Sequence, residues 1–441
     1  MKFKLVILVL ISSLTYQKGY SQWYKSKFVI GSFADPRVSR DNNRVKDSVS
    51  FALAKGASIN LLSGPQFYNG GQDFSLMDKT LDLASKNDMH VMVIDSKLSV
   101  TNANFSTDDA QKIISHFKNI DPKRRAAIGG YNFGGEFPLN KSAQVKKWQG
   151  YFNSNDPEKV AFVYLLPNYG FPSRAAYETY LDTYLNDTNP NNKSDVVAYD
   201  YYPFTNSTIL TSYFYNISII KKKAGNRPVW YYIQSTTKKT VPDITDYQLK
   251  FMAYCPLAYG SKGAIYYTYE SIPDSYGLNY HDALINPYGN VTKKYYTAKT
   301  INYYLSYVAG PIIMANSCIG TYHVSRKPTN ENIPSANILS RRNKYVSSID
   351  NENVLVGIFK NSNSSKYYLM LINKSENDIS NVQISVPGSK SINAFPGSES
   401  YHGSMKMTSL AATVSNNGKS KSSTFAIDKI PGGEMTVVAI N

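Results

Sequence analysis

Cysteine is nearly absent: Cys255 and Cys318 are the only two in 441 residues. Two thiols cannot staple a small scaffold or supply a four-thiolate metal cage, so the chain must rely on an ordinary apolar core. Cys255 falls in the helix-patterned stretch FMAYCPLAYG, where a buried free thiol is expected and a bridge to Cys318 is the alternative. Histidine is scarce too, five in all, and neither HExxH nor CxxC occurs. Metal sites and Cys/His nucleophiles therefore have no support, and no cofactor is expected. Also missing are a Gly-rich nucleotide fingerprint, a nucleic-acid-binding module and the G-x-S-x-G elbow that a Ser/His reading of His281 and Asp282 would need. No nucleic-acid partner is expected.

Long apolar runs are limited to one. MKFK, then LVILVLISSL, then a polar stretch ending at Gly19, Tyr20 and Ser21 make a basic head, a short apolar core and small residues two apart. That is the pattern of a secretory signal peptide over 1–21, too short for a membrane span. No cysteine follows the core to carry a lipid, so a secreted or periplasmic protein without membrane insertion is expected. Acidic residues are outnumbered, 32 against 48 basic, for a net charge of +16. Loss of Lys2, Lys4 and Lys18 with the leader leaves +13. Most lysines are scattered or paired, with Lys221, Lys222 and Lys223 the one triplet. This reads as a solubilising surface, with attraction to an acidic glycan or anionic cell surface as the alternative.

What is present is an alternation. Eight apolar runs, 28–35, 57–63, 90–95, 126–136, 160–168, 196–200, 229–234 and 264–270, each end in polar or aromatic residues and precede a helix-patterned stretch. Eight strand–helix units predict a (β/α)8 TIM barrel over 22–315. Helices are expected at 43–55, 74–86, 110–117, 142–152, 173–185, 209–223, 246–259 and 292–308, with Ser106 and Ser142 as caps. From 316 the pattern turns β-only, with runs at 354–360, 367–373, 382–386, 425–427 and 435–440 and a Pro431-Gly432-Gly433 turn. An antiparallel β-sandwich over 316–441 is expected.

In such a barrel, side chains at the C-terminal ends of the strands share one mouth. Glu136 after the fourth run and Glu270 after the eighth are the candidate carboxylates there, with Asp200 after the sixth a third. Carboxylates paired over one mouth suit glycoside hydrolysis. Asp35, Asn60, Asn168, Tyr201, Tyr202, Gln234 and Tyr267 are the candidate sugar-binding residues, from the other strand ends. Tyrosine, 37 of 441, suits pyranose faces with its ring and their edges with its hydroxyl. The expected partner is a carbohydrate substrate, and nothing in the sequence speaks to oligomeric state.

GGYNFGGEFP, LLPNYGFPSRAAYETYLDTYL, VVAYDYYPF, PVWYYIQS and LAYGSKGAIYYTYES, in this order, resemble secreted bacterial glycoside hydrolases of the β-galactosidase/agarase-like (β/α)8 superfamily. The resemblance covers about 28–315, and VLVGIFKN, YYLMLINK and a terminal PGGE resemble the β-sandwich that often follows. It implies that Glu136 is the acid/base. Two positions depart from the pattern: Gly135 stands where an aspartate is usual, and Gln234 stands at the strand-seven place of the nucleophile. A non-catalytic glycan-binding protein on a degenerate barrel is the alternative.

Overall fold

A computed structural model describes residues 23–38, 44–63, 74–100, 106–205, 208–238, 243–272, 280–325, 333–339, 343–395, 397–398, 407–416 and 421–441. The signal-peptide expectation for 1–21 lies outside them. Eight parallel strands, β1 (Val29–Phe33), β2 (Leu61–Leu62), β3 (His90–Ile94), β4 (Ile128–Gly135), β5 (Val160–Leu165), β6 (Val197–Tyr199), β7 (Val229–Gln234) and β8 (Gly263–Tyr267), close into a barrel with β8 pairing β1. Successive side chains alternate faces, so Val29, Phe162, Ala198, Trp230, Tyr232 and Ile265 fill the interior. Their neighbours Ile30, Val163, Tyr199, Tyr231 and Tyr266 pack outward under the helices. A one-turn helix, Trp23–Lys25, closes the barrel floor. Trp23 stacks on His90 at 4.2 Å and donates its indole N–H to the Gly129 carbonyl (3.1 Å), while Tyr24 meets Trp230 edge-on.

The helices are α1 (Arg44–Gly56), α2 (Ser75–Lys86), α3 (Thr107–Lys118), α4 (Pro122–Ala127), α5 (Ser142–Asn155), α6 (Arg174–Leu185), α7 (Tyr213–Ala224), α8 (Asp246–Tyr254), α9 (Lys293–Tyr304) and α10 (Gly310–Ala315). Ser106 caps α3 by accepting the Asp109 amide (3.2 Å). Ser142 is not a cap: it lies inside α5, after a 3-10 turn, with its hydroxyl buried and unpartnered among the described residues. One helix expected as a single run is broken by proline, which lacks the amide donor: residues 246–259 turn 3-10 from Cys255 around Pro256. The expected helix 292–308 is helical and continues through a π-turn, Leu305–Ala309, into α10. The two cysteines are free.

Beyond α10 the chain is antiparallel. One sheet carries β9 (Ser317–His323), β11 (Val354–Lys360), β12 (Tyr367–Asn373), β18 (Met435–Ile440), β14 (Ile392–Ala394) and β15 (Thr408–Leu410) in that order. The second carries β10 (Ser348–Ile349), β13 (Ile379–Pro387), β17 (Lys421–Ile430) and β16 (Thr413–Asn416). The six-stranded sheet is covered on both faces. Leu355, Met370, Ile372, Met435 and Val437 join the core beneath the barrel helices, while Val354, Val356, Ile358, Leu369 and Val438 face the second sheet. A strand covered on both faces needs apolar residues at every position, which is why VLVGIFK and MTVVAI run without alternation. The four-stranded sheet, open to water on one face, does alternate.

The contact between barrel and sheet is close and polar at its margins. A Cβ on Gly357 would lie 2.7 Å from the Ala258 backbone, so only glycine fits. Thr321 donates to the Ala258 carbonyl (2.7 Å), Tyr259 and His323 share a buried hydrogen bond (2.8 Å), and Tyr247 donates to the Lys374 carbonyl (2.8 Å). Lys250 on α8 pairs with Glu434 (3.2 Å), a carboxylate 1% exposed that also accepts from Ser398.

Candidate active site

The strand-four segment turns on its glycines. The ladder between β4 and β5 shifts register between Asn132 and Gly135, a bulge of the kind that re-aims a side chain. Asn132 Oδ1 accepts the Gly134 amide (2.7 Å), Gly134 takes a φ of 85°, and Glu136 follows at 54° with its amide donating to the Tyr164 carbonyl (3.0 Å). A left-handed non-glycine residue carries a cost of about 1–3 kcal/mol, and such residues cluster at functional sites. Gly135 lies against the Tyr164 ring, where a Cβ would come within 2.3 Å. The aspartate of the resembling pattern therefore has no room here.

The bulge brings Glu136, exposed to solvent, near enough to Asp200, 4% exposed at the end of β6, for its charge to act on the Asp200 carboxyl. Burial, and then the Glu136 charge beside it, hold the Asp200 carboxyl well above the usual carboxylate range. Around the pair stands a layer of inward-facing rings. Phe33 lies 4.9 Å from Tyr267 and 6.3 Å from Tyr164, Tyr164 lies 5.2 Å from Tyr232, and Tyr267 lies 5.6 Å from Tyr202. Burial first, and then the nearby Asp200 and Glu136, push the Tyr164 phenol up. Tyr202 is raised by burial and by Asp200. Among the described residues, Asp200 Oδ1 and Gln234 Oε1 are buried acceptors without a donor. An unmatched buried acceptor costs about 1–3 kcal/mol, so the two atoms mark a place where a ligand's donor groups would be favoured. Asp35, 3% exposed, accepts from Ser32 (2.7 Å) and lies near enough to Tyr232 to raise its phenol.

Other candidates lie elsewhere. Glu270 is held by Arg37 Nε (2.9 Å), the Arg37 amide (3.2 Å) and Ser50 of α1 (3.0 Å), so both its oxygens are engaged. Burial raises its carboxyl and Arg37 opposes this. Asn60 precedes β2 and bonds the Phe28 carbonyl and the Ile30 amide at the opposite end of the barrel; the residue at the mouth end of that strand is Ser63. Tyr201 is turned outward by strand alternation, since Ala198, Asp200 and Tyr202 point in. It is buried against Tyr169 and Tyr213, with its hydroxyl on Ser212. Asn168 serves the same corner, bonded to Asn216 and Ser212 of α7 and its cap. Phe33, Tyr164 and Tyr232 line the mouth and were not singled out from the sequence, although alternation along β1, β5 and β7 marks them.

Among the described residues no cluster of His, Cys, Asp and Glu could hold a metal ion, and no helix is long and apolar enough to cross a membrane. No family model matches the sequence, and no curated protein matches it. Solved structures do match in fold. A β-galactosidase from Bacillus circulans sp. alkalophilus superposes with a TM-score of 0.61 at 8% identity over 94% of this chain and 99% of its own. A cycloisomaltooligosaccharide glucanotransferase from Paenibacillus sp. gives 0.58 at 8% identity over 96% and 85%. Amy13B of Eubacterium rectale gives 0.50 at 10% identity over 94% and 95%. The chain shares the barrel-and-sandwich fold of these structures.

Proposed function

We propose that the protein is a secreted or periplasmic glycoside hydrolase acting on a poly- or oligosaccharide, with 1–21 its leader, 22–315 its catalytic barrel and 316–441 a supporting β-sandwich. The observation that carries this reading is the nearness of Glu136 to Asp200 inside a ring of tyrosines. Burial, and then the Glu136 charge beside it, raise the Asp200 carboxyl, which suits it to carry and give a proton. Asp200 is then the general acid and Glu136 the base, the reverse of the order the resemblance implies. Asp200 gives its proton to the glycosidic oxygen as the C1–O bond breaks. Water adds to C1 and gives its proton to Glu136. Exchange with solvent then restores both carboxyls to their starting states.

The test is turnover on a glycan library scored by reducing-end release. Glu136→Gln and Asp200→Asn should each lower kcat by about a hundredfold or more, the usual worth of general acid–base groups; unchanged turnover in either would refute the assignment. Gln234 favours a second reading, a glycan-binding protein that hydrolyses nothing, because an amide replaces the strand-seven carboxylate. Binding without reducing-end release across the library would support it.

A further inference from the structure

At the N-terminal ends of the barrel strands, opposite the Glu136–Asp200 mouth, lies a cavity of about 760 Å³, within the size range of ligand sites. Its inner wall is apolar, from Phe28, Ile59 and Met314, and its rim carries Lys25, Lys27 and Lys55. Lys27 meets Asp88 at 3.6 Å, an exposed pair of little strength. Lys25 and Lys55 make no ion pair with a described carboxylate, so the rim is net positive.

The cavity also has a platform. Tyr307, in the π-turn after α9, lines it with 46% of its surface exposed, and its ring lies 4.5 Å from that of Tyr303, itself 36% exposed. Among the described residues most tyrosines are buried, and these two exposed rings lie side by side beside a basic cavity. The exposed Tyr307 ring next to solvent-facing ammonium groups matches a ligand with an apolar ring face and anionic substituents. A uronate or sulfated sugar has both: the pyranose face stacks on a phenol ring, and its carboxylate or sulfate meets the ammonium groups.

We infer that this cavity is a second glycan site, selective for anionic oligosaccharides and separate from the barrel mouth. It does not depend on whether the mouth is catalytic. The lysines bring the polymer in, and the tyrosines distinguish a sugar from any other polyanion. A chain held there would keep its neighbouring segments near the protein without blocking the mouth.

Titration calorimetry on the full chain tests this with an oligogalacturonate, a heparin oligosaccharide, neutral cellohexaose and a polyphosphate of matched charge. The expected result is binding of one or both anionic sugars and none of cellohexaose. Oligogalacturonate alone would assign carboxylate recognition, and heparin alone sulfate recognition. Tyr307→Ala should weaken that binding about fivefold, Lys25→Glu with Lys55→Glu should abolish it, and both variants should keep the wild-type melting temperature. Glu136→Gln should leave the affinity unchanged, so a failure of the mouth assignment and a failure of this site read differently. No binding of either anionic sugar, binding that survives both rim variants, or equal binding of polyphosphate insensitive to Tyr307→Ala would overturn the inference.

Discussion

Gly135→Ala examines the joint between β4 and β5. The new Cβ would sit 2.3–2.5 Å from three atoms of the Tyr164 ring, whereas carbons in contact stand about 3.5–4.0 Å apart. Ring or strand must retreat by about an ångström. Overpacking of that kind costs about 1–3 kcal/mol, which in a chain of this size lowers Tm by about 1–3 °C. The effect on turnover should be larger. The next amide, that of Glu136, is bonded to the Tyr164 carbonyl at 3.0 Å, so the retreat moves the carboxyl away from Asp200, and a misplacement of about 1 Å can cost about a hundredfold. Thermal unfolding and reducing-end kinetics on the same preparations measure both. A Gly135→Ala/Tyr164→Ala double variant should be less destabilised than the sum of its singles, because the clash is gone. Wild-type stability and rate in Gly135→Ala, or strict additivity in the double variant, would refute the reasoning.

Asp200→Asn should stabilise the protein at neutral pH. A carboxyl whose folded pKa is raised lies above its unfolded value of about 3.9, so stability falls as pH climbs from that value through the folded pKa. The asparagine variant lacks that fall, and urea unfolding at pH 3.5 and pH 8 should show the two proteins alike at the first and the variant ahead at the second. Tyr202→Ala should weaken glycan binding by about 1–3 kcal/mol with Tm nearly unchanged, since it removes stacking area at the mouth and opens no core; a cooperative unfolding loss with affinity spared would place the ring in the core instead. Arg37→Ala strands the buried Glu270 carboxylate, 7% exposed against 44% for its partner. Allowing for the exposure of Arg37, the loss should be about 2–3 kcal/mol by denaturant midpoint, largely relieved by adding Glu270→Gln.

The barrel was legible because its signal is repeated eight times, and the β-sandwich because short β-rich runs recur after residue 316 with no helix pattern between them. Short or exposed strands left little trace: β16 (Thr413–Asn416) has no buried residue, and β10 is two residues long. At the site, Asp200, Tyr202, Gln234 and Tyr267 were readable from the ends of their strands. Tyr201 and Asn60 were misplaced for one reason, that a run of apolar letters marks a strand without marking which end or which face each letter occupies. Alternation counted from Ala198 separates Tyr201 from Tyr202. The pairing of Glu136 with Asp200 in preference to Glu270 was not readable at all, because it depends on the bulge at Asn132–Gly135 and on an arginine 233 residues from Glu270 in the chain.

The Lys250–Glu434 pair joins a barrel helix to the last hairpin of the chain, and around it Gly357 fits over Ala258 with no room for a methyl group. For protein engineering this makes the β-sandwich a poor exchangeable part. A barrel expressed by itself would present a bare apolar face and a lysine with its counter-ion gone, and a foreign sandwich grafted in its place would need glycine and glutamate at the matching points. Chimaeras with other chains of this fold should therefore be cut within loops of the barrel mouth, keeping α8 and the C-terminal hairpin from the same parent.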